Sequence, residues 1–422
     1  MSDITSCHGS NKTTLEDSTE NDLELVIVIE KNSSLEDQNA DKKKKLFTRP
    51  LSTLSEPLEA IRNFTPSWFS ITMGTGILSI LLENFPFQFN GLHTIAIVVF
   101  LINVVLYTLF TLMIVARSII FPYTVRLMFN HPSQSLFIGA IPMGFTTIVS
   151  FTVVGLTQHF DWAIELAFVL WIIDLFLSMF SCIVVPYYFF VHHTQSIESM
   201  NGTWLLPIVP AIVTAASGGL LANHIEGEQR GLVVLLISYV LMGMGLILAF
   251  IIVGIYFYRL SLHKLPAKEV IFSSFIPLGP LGQGAYGMIQ IGSASQRLFG
   301  DKYITGLGST AYGMGFLSAL LLWGCGVWFF IVAIFSVAAT FKQHGLPFNM
   351  GWWGLAFPFG AFIAATLSIS IVLESMFFQV LSAIFICMLV IIWLVIVART
   401  LPGAWSGKMF YAPCLNQAVL KQ

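Results

Sequence analysis

The side chains able to do chemistry in the apolar part of this chain are hydroxyls and amides rather than charges. Thr72, Thr75, Ser79, Thr146, Thr147, Ser150, Thr214, Ser217, Thr366 and Ser368 recur, with Gln283 and Gln290, inside runs rich in glycine and proline. The cores of those runs hold no ionisable group; Glu83, Glu269, Arg297 and Glu374 stand at or beyond their ends. Hydroxyls, amides and backbone released by proline donate hydrogen bonds, and N-terminal helix ends carry partial positive charge, so the set suits a small anion. A cation path normally shows an acidic ring or an intramembrane carboxylate in the pore. A neutral solute is the other reading of an uncharged polar pore.

The exceptions are few. Asp174 is the one carboxylate near the middle of an apolar run, a candidate proton-coupling site or the partner of a neighbouring hydroxyl or amide. His192 and His193 stand together at a run end, where a solvated pair is the plain reading, and no third ligand beside them suggests a metal site. Cys7, Cys182, Cys325, Cys387 and Cys414 are scattered without disulfide or metal spacing and read as small packing residues. No acids, bases and nucleophiles cluster as an enzyme requires. No cofactor, metal or nucleic-acid partner is expected, and the chain reads as no enzyme.

The elements that must position these groups are membrane helices. Hydrophobic residues make up 56% of the 422 and charged ones 10%, with a mean hydropathy of +0.81, whereas a soluble domain carries about 25% charged residues. Ten apolar runs follow Arg62, at roughly 64–82, 92–116, 136–157, 162–191, 203–222, 231–258, 270–294, 309–341, 351–373 and 376–399. Odd and even runs differ in kind. The odd ones hold small residues and prolines expected to break their helices: Pro66, Pro142, Pro210, Pro280 and Pro358. The even ones are long, bulky and mostly unbroken. Small residues let helix backbones approach and bulky ones face lipid. The expected fold is therefore an all-α membrane protein of ten transmembrane helices, five helical-hairpin repeats around a central pore lined by the odd-numbered helices. Candidate lining and anion-binding residues are Thr72, Thr75, Thr146, Thr147, Thr214, Ser217, Gln283 and Thr366.

Three domains are expected: a disordered N-terminal tail at 1–60, the transport domain at 61–400 and a short C-terminal tail at 401–422. The first segment is acidic and Ser/Thr-rich, ends in Lys42 to Lys45, and has no apolar stretch fit for a signal peptide. The lysine run suits anionic headgroups or an orientation signal, and Ser52, Thr53 and Ser55 are candidate phosphorylation sites. An even number of spans puts both termini on one side. With the N-terminus cytoplasmic, the inner connectors and C-tail hold Arg117, Arg126, Arg259, Lys264, Lys268, Lys342, Arg399, Lys408 and Lys421, against Arg230, Arg297 and Lys302 outside. The positive-inside rule thus makes both termini cytoplasmic.

Three stretches carry a resemblance: Asn63-Phe-Thr-Pro-Ser-Trp-Phe with Met73-Gly-Thr-Gly-Ile, then Pro277-Leu-Gly-Pro-Leu-Gly-Gln-Gly, and Trp352-Trp-Gly-Leu-Ala-Phe-Pro-Phe-Gly. In that order over about residues 60 to 400, the chain resembles the tellurite-resistance/dicarboxylate transporter superfamily, and most of all its fungal sulfite efflux branch. The resemblance implies five hairpins around a central pore, occluded by a phenylalanine on the ninth helix, which by motif position is Phe357. It implies plasma-membrane export of sulfite or bisulfite without covalent chemistry. The alternatives on the same fold are a C4-dicarboxylate (malate) permease, which should show a lysine or arginine at depth, and a less selective small-anion channel. Lipid and a small inorganic anion are the implied partners, and a homotrimer, which relatives of this fold form, stays open.

Overall fold

The computed structural model describes residues 56–415. Most of the expected tail at 1–60, with Lys42 to Lys45 and the candidate phosphorylation sites, lies outside the described residues, as do residues 416–422. The compact unit from Ala60 onward carries the fold. It is all-helical, with no strand among the described residues.

In chain order the helices are α1 (Glu56–Asn63), α2 (Phe69–Glu83), α3 (Leu92–Ile120), α4 (Tyr123–Asn130), α5 (Ala140–Phe151) and α6 (Trp162–His192). There follow α7 (Val209–Ala222), α8 (Glu228–His263), α9 (Leu278–Phe299), α10 (Leu307–His344), α11 (Trp353–Val372) and α12 (Met376–Trp405). Each of the ten expected runs contains one of them, and α12 continues past residue 400, where the domain was expected to end.

Seven helical segments, not ten, are long and apolar enough to cross a membrane: α3, α6, α8, α10, α12, Ser135–Leu156 and Met350–Val372. The other three runs fall short for physical reasons. α2 has 15 residues and α7 has 14, about 22 and 21 Å at 1.5 Å per residue, against a hydrocarbon thickness of about 30 Å. α9 is long enough at 22 residues, but its glycines, glutamines and serines make it less apolar.

The two kinds of run take different places. In Met350–Val372 and Ser135–Leu156, 89% and 78% of the apolar window is buried, against 28% to 39% in α3, α6, α8, α10 and α12. α2 and α7 are also almost wholly buried. The exposed faces of the long helices carry large apolar side chains such as Phe176, Leu321, Val240 and Leu112, the surface of a helix that meets lipid. The inner helices close on one another in cyclic order. α2 packs on α5, α5 on α7, α7 on α9, α9 on α11, and α11 on α2 again, while α3, α6, α8 and α10 each lie against the two inner helices that flank them in sequence and α12 lies against α11 and α2. Glycine makes these approaches close: a Cβ on Gly282 of α9 would stand 2.5 Å from the Phe362 amide nitrogen and 2.7 Å from the Ala361 carbonyl carbon of α11.

A 3-10 turn leads into each inner helix: Pro66–Trp68, Ser135–Gly139, Gly202–Leu205, Ile271–Phe275 and Met350–Trp352. The prolines expected to break helices mostly begin them instead. Pro66 opens its 3-10 turn, while Pro142, Pro210 and Pro280 lie in the first turns of α5, α7 and α9, where a missing N–H costs nothing because it has no intrahelical partner. Pro358 is carried inside α11, which runs unbroken to Val372.

Candidate functional site

The lead-ins of the five inner helices gather at one place in the ring, and residues further along the same helices gather at another. A cavity lies at each place. The larger, about 450 Å3, is lined by Thr65 and Ser70 before and in α2, Gln134 and Phe137, Asn201 and Thr203, Glu269 and Ser273, and Asn349, Gly351, Trp353 and Pro358. Each of the five lead-ins therefore contributes. Two of them are braced by an asparagine: Asn201 Oδ1 accepts from the Thr203 N–H at 3.0 Å, and Asn349 Oδ1 from the Gly351 N–H at 2.8 Å. On the rim, His131 Nδ1 accepts from the Ser133 and Gln134 N–H groups at 3.2 and 3.3 Å, which shapes the turn that presents Gln134. Burial pushes the His131 pKa down, and repulsion from His193 adds to it.

The smaller cavity, about 100 Å3, lies further along the same five helices. Asn84, Thr146, Thr147, Ser150, Gln283, Tyr286, Gln290, Phe357 and Ser368 line it, among apolar side chains. Phe357 is 2% exposed. It faces this cavity, while the next residue, Pro358, lines the larger one.

Of the expected lining residues, the structure brings Thr146, Thr147 and Gln283 to the smaller cavity. Gln283 Oε1 is buried without a partner. The other expected residues point elsewhere. Thr72 donates to the Phe69 carbonyl at 2.8 Å and packs where Gly144 leaves room. Thr75 and Thr366 accept from the indoles of Trp393 and Trp323, at 3.1 and 2.9 Å, so they tie inner helices to outer ones. Ser217 donates to the Thr214 carbonyl at 3.0 Å.

Thr214 and Thr146 both donate to Asp174 Oδ2 at 2.7 Å. Asp174 is fully buried and lines neither cavity. It projects from the outer helix α6 between α5 and α7, and Ser178 Oγ lies 2.6 Å from Thr214 Oγ1 behind it. The local chemistry is that of a clamp: one acceptor holds two hydroxyls from adjacent inner helices.

Ser150, Gln290 and Ser368 line the smaller cavity with no side-chain hydrogen bond among the described residues, unlike Thr146 and Thr147, whose hydroxyls donate to Asp174 and to the Gly144 carbonyl. Three polar residues of the larger cavity, Gln134, Ser273 and Asn349, were not singled out by the sequence reading. A signal for one of them was present: Asn201 and Asn349 share an Asn-x-x-Trp pattern at the start of an apolar run. Among the described residues no His, Cys, Asp and Glu group is arranged to hold a metal.

Comparison with known proteins identifies the family. The model of the SLAC1 family, described as voltage-dependent anion channels, matches residues 63–401. The chain is 38% identical over 354 residues to sulfite efflux pumps of Arthroderma benhamiae and Trichophyton rubrum, covering 83% of this chain and 93% of each relative. It is 27% identical over 346 residues to the malic acid transport protein of Schizosaccharomyces pombe, covering 80% and 78%. With a family model spanning most of its length, the chain belongs to the SLAC1 family of multi-pass membrane anion transporters and channels, and is not an enzyme.

Proposed function

We propose that this protein exports sulfite, as the sulfite or bisulfite anion, across the plasma membrane, with both termini cytoplasmic. All ten runs cross the membrane as five helical hairpins, and α2, α5, α7, α9 and α11 enclose the path. The observation that carries this reading is the pair of cavities inside one closed ring of helices, with adjacent residues of α11, Phe357 and Pro358, lining opposite ones. Phe357 closes the path between them. An apolar ring at a constriction excludes water, and a charged solute cannot cross a dewetted gap.

The chemistry of the two ends supports an anion moving outward. Parallel helices direct N–H groups and partial positive charge at the larger cavity, which faces the cytoplasm in this orientation. Past Phe357 the anion meets neutral donors: the Gln283 and Gln290 amides and the Ser150 and Ser368 hydroxyls. Uncharged donors hold a monoanion loosely enough to release it. That relatives at 38% identity are named sulfite efflux pumps supports sulfite as the anion carried.

The test is expression in cells that lack sulfite efflux, with surface localisation verified. Raised sulfite tolerance and faster loss of internal sulfite are expected. A surface-localised protein that leaves both unchanged overturns the reading, and malate uptake by the same cells would transfer the substrate to the dicarboxylate class.

A further inference from the structure

Beyond α12 the chain turns back across the larger cavity. Gly407 adopts φ 71°, a left-handed conformation that glycine takes without a Cβ clash. Phe410 then stacks on Trp68, with centroids 4.6 Å apart and planes at 18°. Ala412 and Cys414 are buried. Cys414 Sγ accepts from Arg117 Nη2 at 3.5 Å, and the same guanidinium, 1% exposed, donates through Nε to the Arg62 carbonyl at 3.0 Å. Anchored on both sides in this way, the strap lays Lys408, Met409, Tyr411 and Pro413 along the cavity.

Lys408 is the single cation in that lining and Glu269 the single acid. Neither enters an ion pair among the described residues, where the pairs are Glu83 with His93, Glu165 with Arg230 and Glu228 with Lys302. From other elements the same cavity is lined by Ser273, 5% exposed, and Gln134, 8% exposed. Ser273 Oγ and Gln134 Oε1 are buried and have no hydrogen-bond partner. Buried polar groups are normally satisfied, so two orphans in one cavity beside an unpaired cation call for a ligand. The Ser273 O–H donates, and the Gln134 amide turned end for end presents two N–H donors.

We propose that the strap Gly407–Cys414 builds a loading site for a small oxyanion in the larger cavity, with Lys408 supplying charge at its mouth and Ser273 and Gln134 donating hydrogen bonds within it. The site rests on the export reading above, for which it is the station before Phe357. Lys408 recruits, and the neutral donors orient the oxygens without holding them so tightly that the anion cannot move on.

The experiment compares purified full-length protein with Lys408→Gln, Lys408→Arg and Ser273→Ala. Two readouts are taken, equilibrium binding of radiolabelled sulfite in detergent and sulfite flux in proteoliposomes, with thermal stability measured for each variant. Lys408→Gln is expected to weaken binding and raise the half-saturating concentration about fivefold at low salt with the maximal rate kept, the weight of one exposed charge near contact. The difference shrinks at high ionic strength, and Lys408→Arg restores both values. Ser273→Ala weakens binding about threefold. Equal binding by wild type and Lys408→Gln overturns the loading site even where flux establishes export. Binding that depends on Lys408 without any flux by the wild type overturns the export reading and leaves the site standing. A loss of stability and maximal rate at unchanged half-saturation makes the strap purely structural and overturns the proposal.

Discussion

Phe357 and Gln283 are the residues on which transport should turn most sharply. Replacing Phe357 with alanine removes the closing ring and should raise basal anion conductance, read electrically in a cell with low background; an unchanged conductance removes Phe357 from the gate. Gln283→Leu takes away an amide with an unpartnered buried oxygen beside the smaller cavity and should slow sulfite flux about tenfold, since hydrogen bonds to a charged species are worth about 1.5–3 kcal/mol. Asp174 behaves differently. Alanine there removes the acceptor that joins the Thr146 and Thr214 hydroxyls across α5 and α7, although each keeps a second partner in the Pro142 carbonyl and Ser178; at about 0.5–1.5 kcal/mol for each hydrogen bond lost, protein yield and thermal stability should fall. Asp174→Asn keeps an acceptor oxygen and should keep the pH dependence of transport. Loss of that dependence would make Asp174 a proton-coupling group instead of a clamp.

At the scale of elements, the inner helices depend on backbone contact. Gly282→Ala drives a Cβ against the α11 backbone at Phe362 and Ala361, where no side chain can swing aside. It should destabilise the fold by about 1–3 kcal/mol, as overpacking does, seen as a lower melting temperature in detergent; Gly313→Ala, with open space around its Cα, is the neutral control. The His131 turn makes a pH prediction. Its folded pKa lies below the ordinary imidazole value because of burial and then the charge of His193. Its contribution to stability is therefore complete above the ordinary value, about 6.5, and is lost as pH falls through the lowered folded value. Thermal stability should drop on acidification from pH 7 towards 5. His131→Asn, whose side-chain oxygen accepts the same turn N–H groups without titrating, should flatten that drop.

For the whole molecule, the orientation has a direct check. Asn201-Gly-Thr is a glycan acceptor sequence, yet Asn201 lines the larger cavity and caps Thr203; on the cytoplasmic side it should carry no glycan, and a mass shift with glycosidase would invert the topology. Which helices are buried and which expose bulky apolar faces was legible in the alternation of small-residue and bulky runs, because lipid and tight helix contact demand opposite side-chain sizes. Proline positions were misleading in detail. Nothing in a linear pattern tells a helix-breaking proline from one in a first turn, where the missing N–H is harmless, and Pro142, Pro210 and Pro280 proved to be of the second kind. Most of the candidate hydroxyls could not be aimed either. A helix turns about 100° per residue, so Thr75 and Thr366 on inner helices face outer-helix tryptophans, while Thr146 and Thr147 line the smaller cavity. By itself the sequence determined membrane residence, the two kinds of helix and the absence of charge from the inner ones, since each follows from composition and period. Only the tertiary structure decided which donors are free, that Asp174 ties α5 to α7, and that Lys408, Ser273 and Gln134 line one cavity. Those facts depend on contacts between residues far apart in the chain, made by the closing of the ring and the return of the strap beneath it.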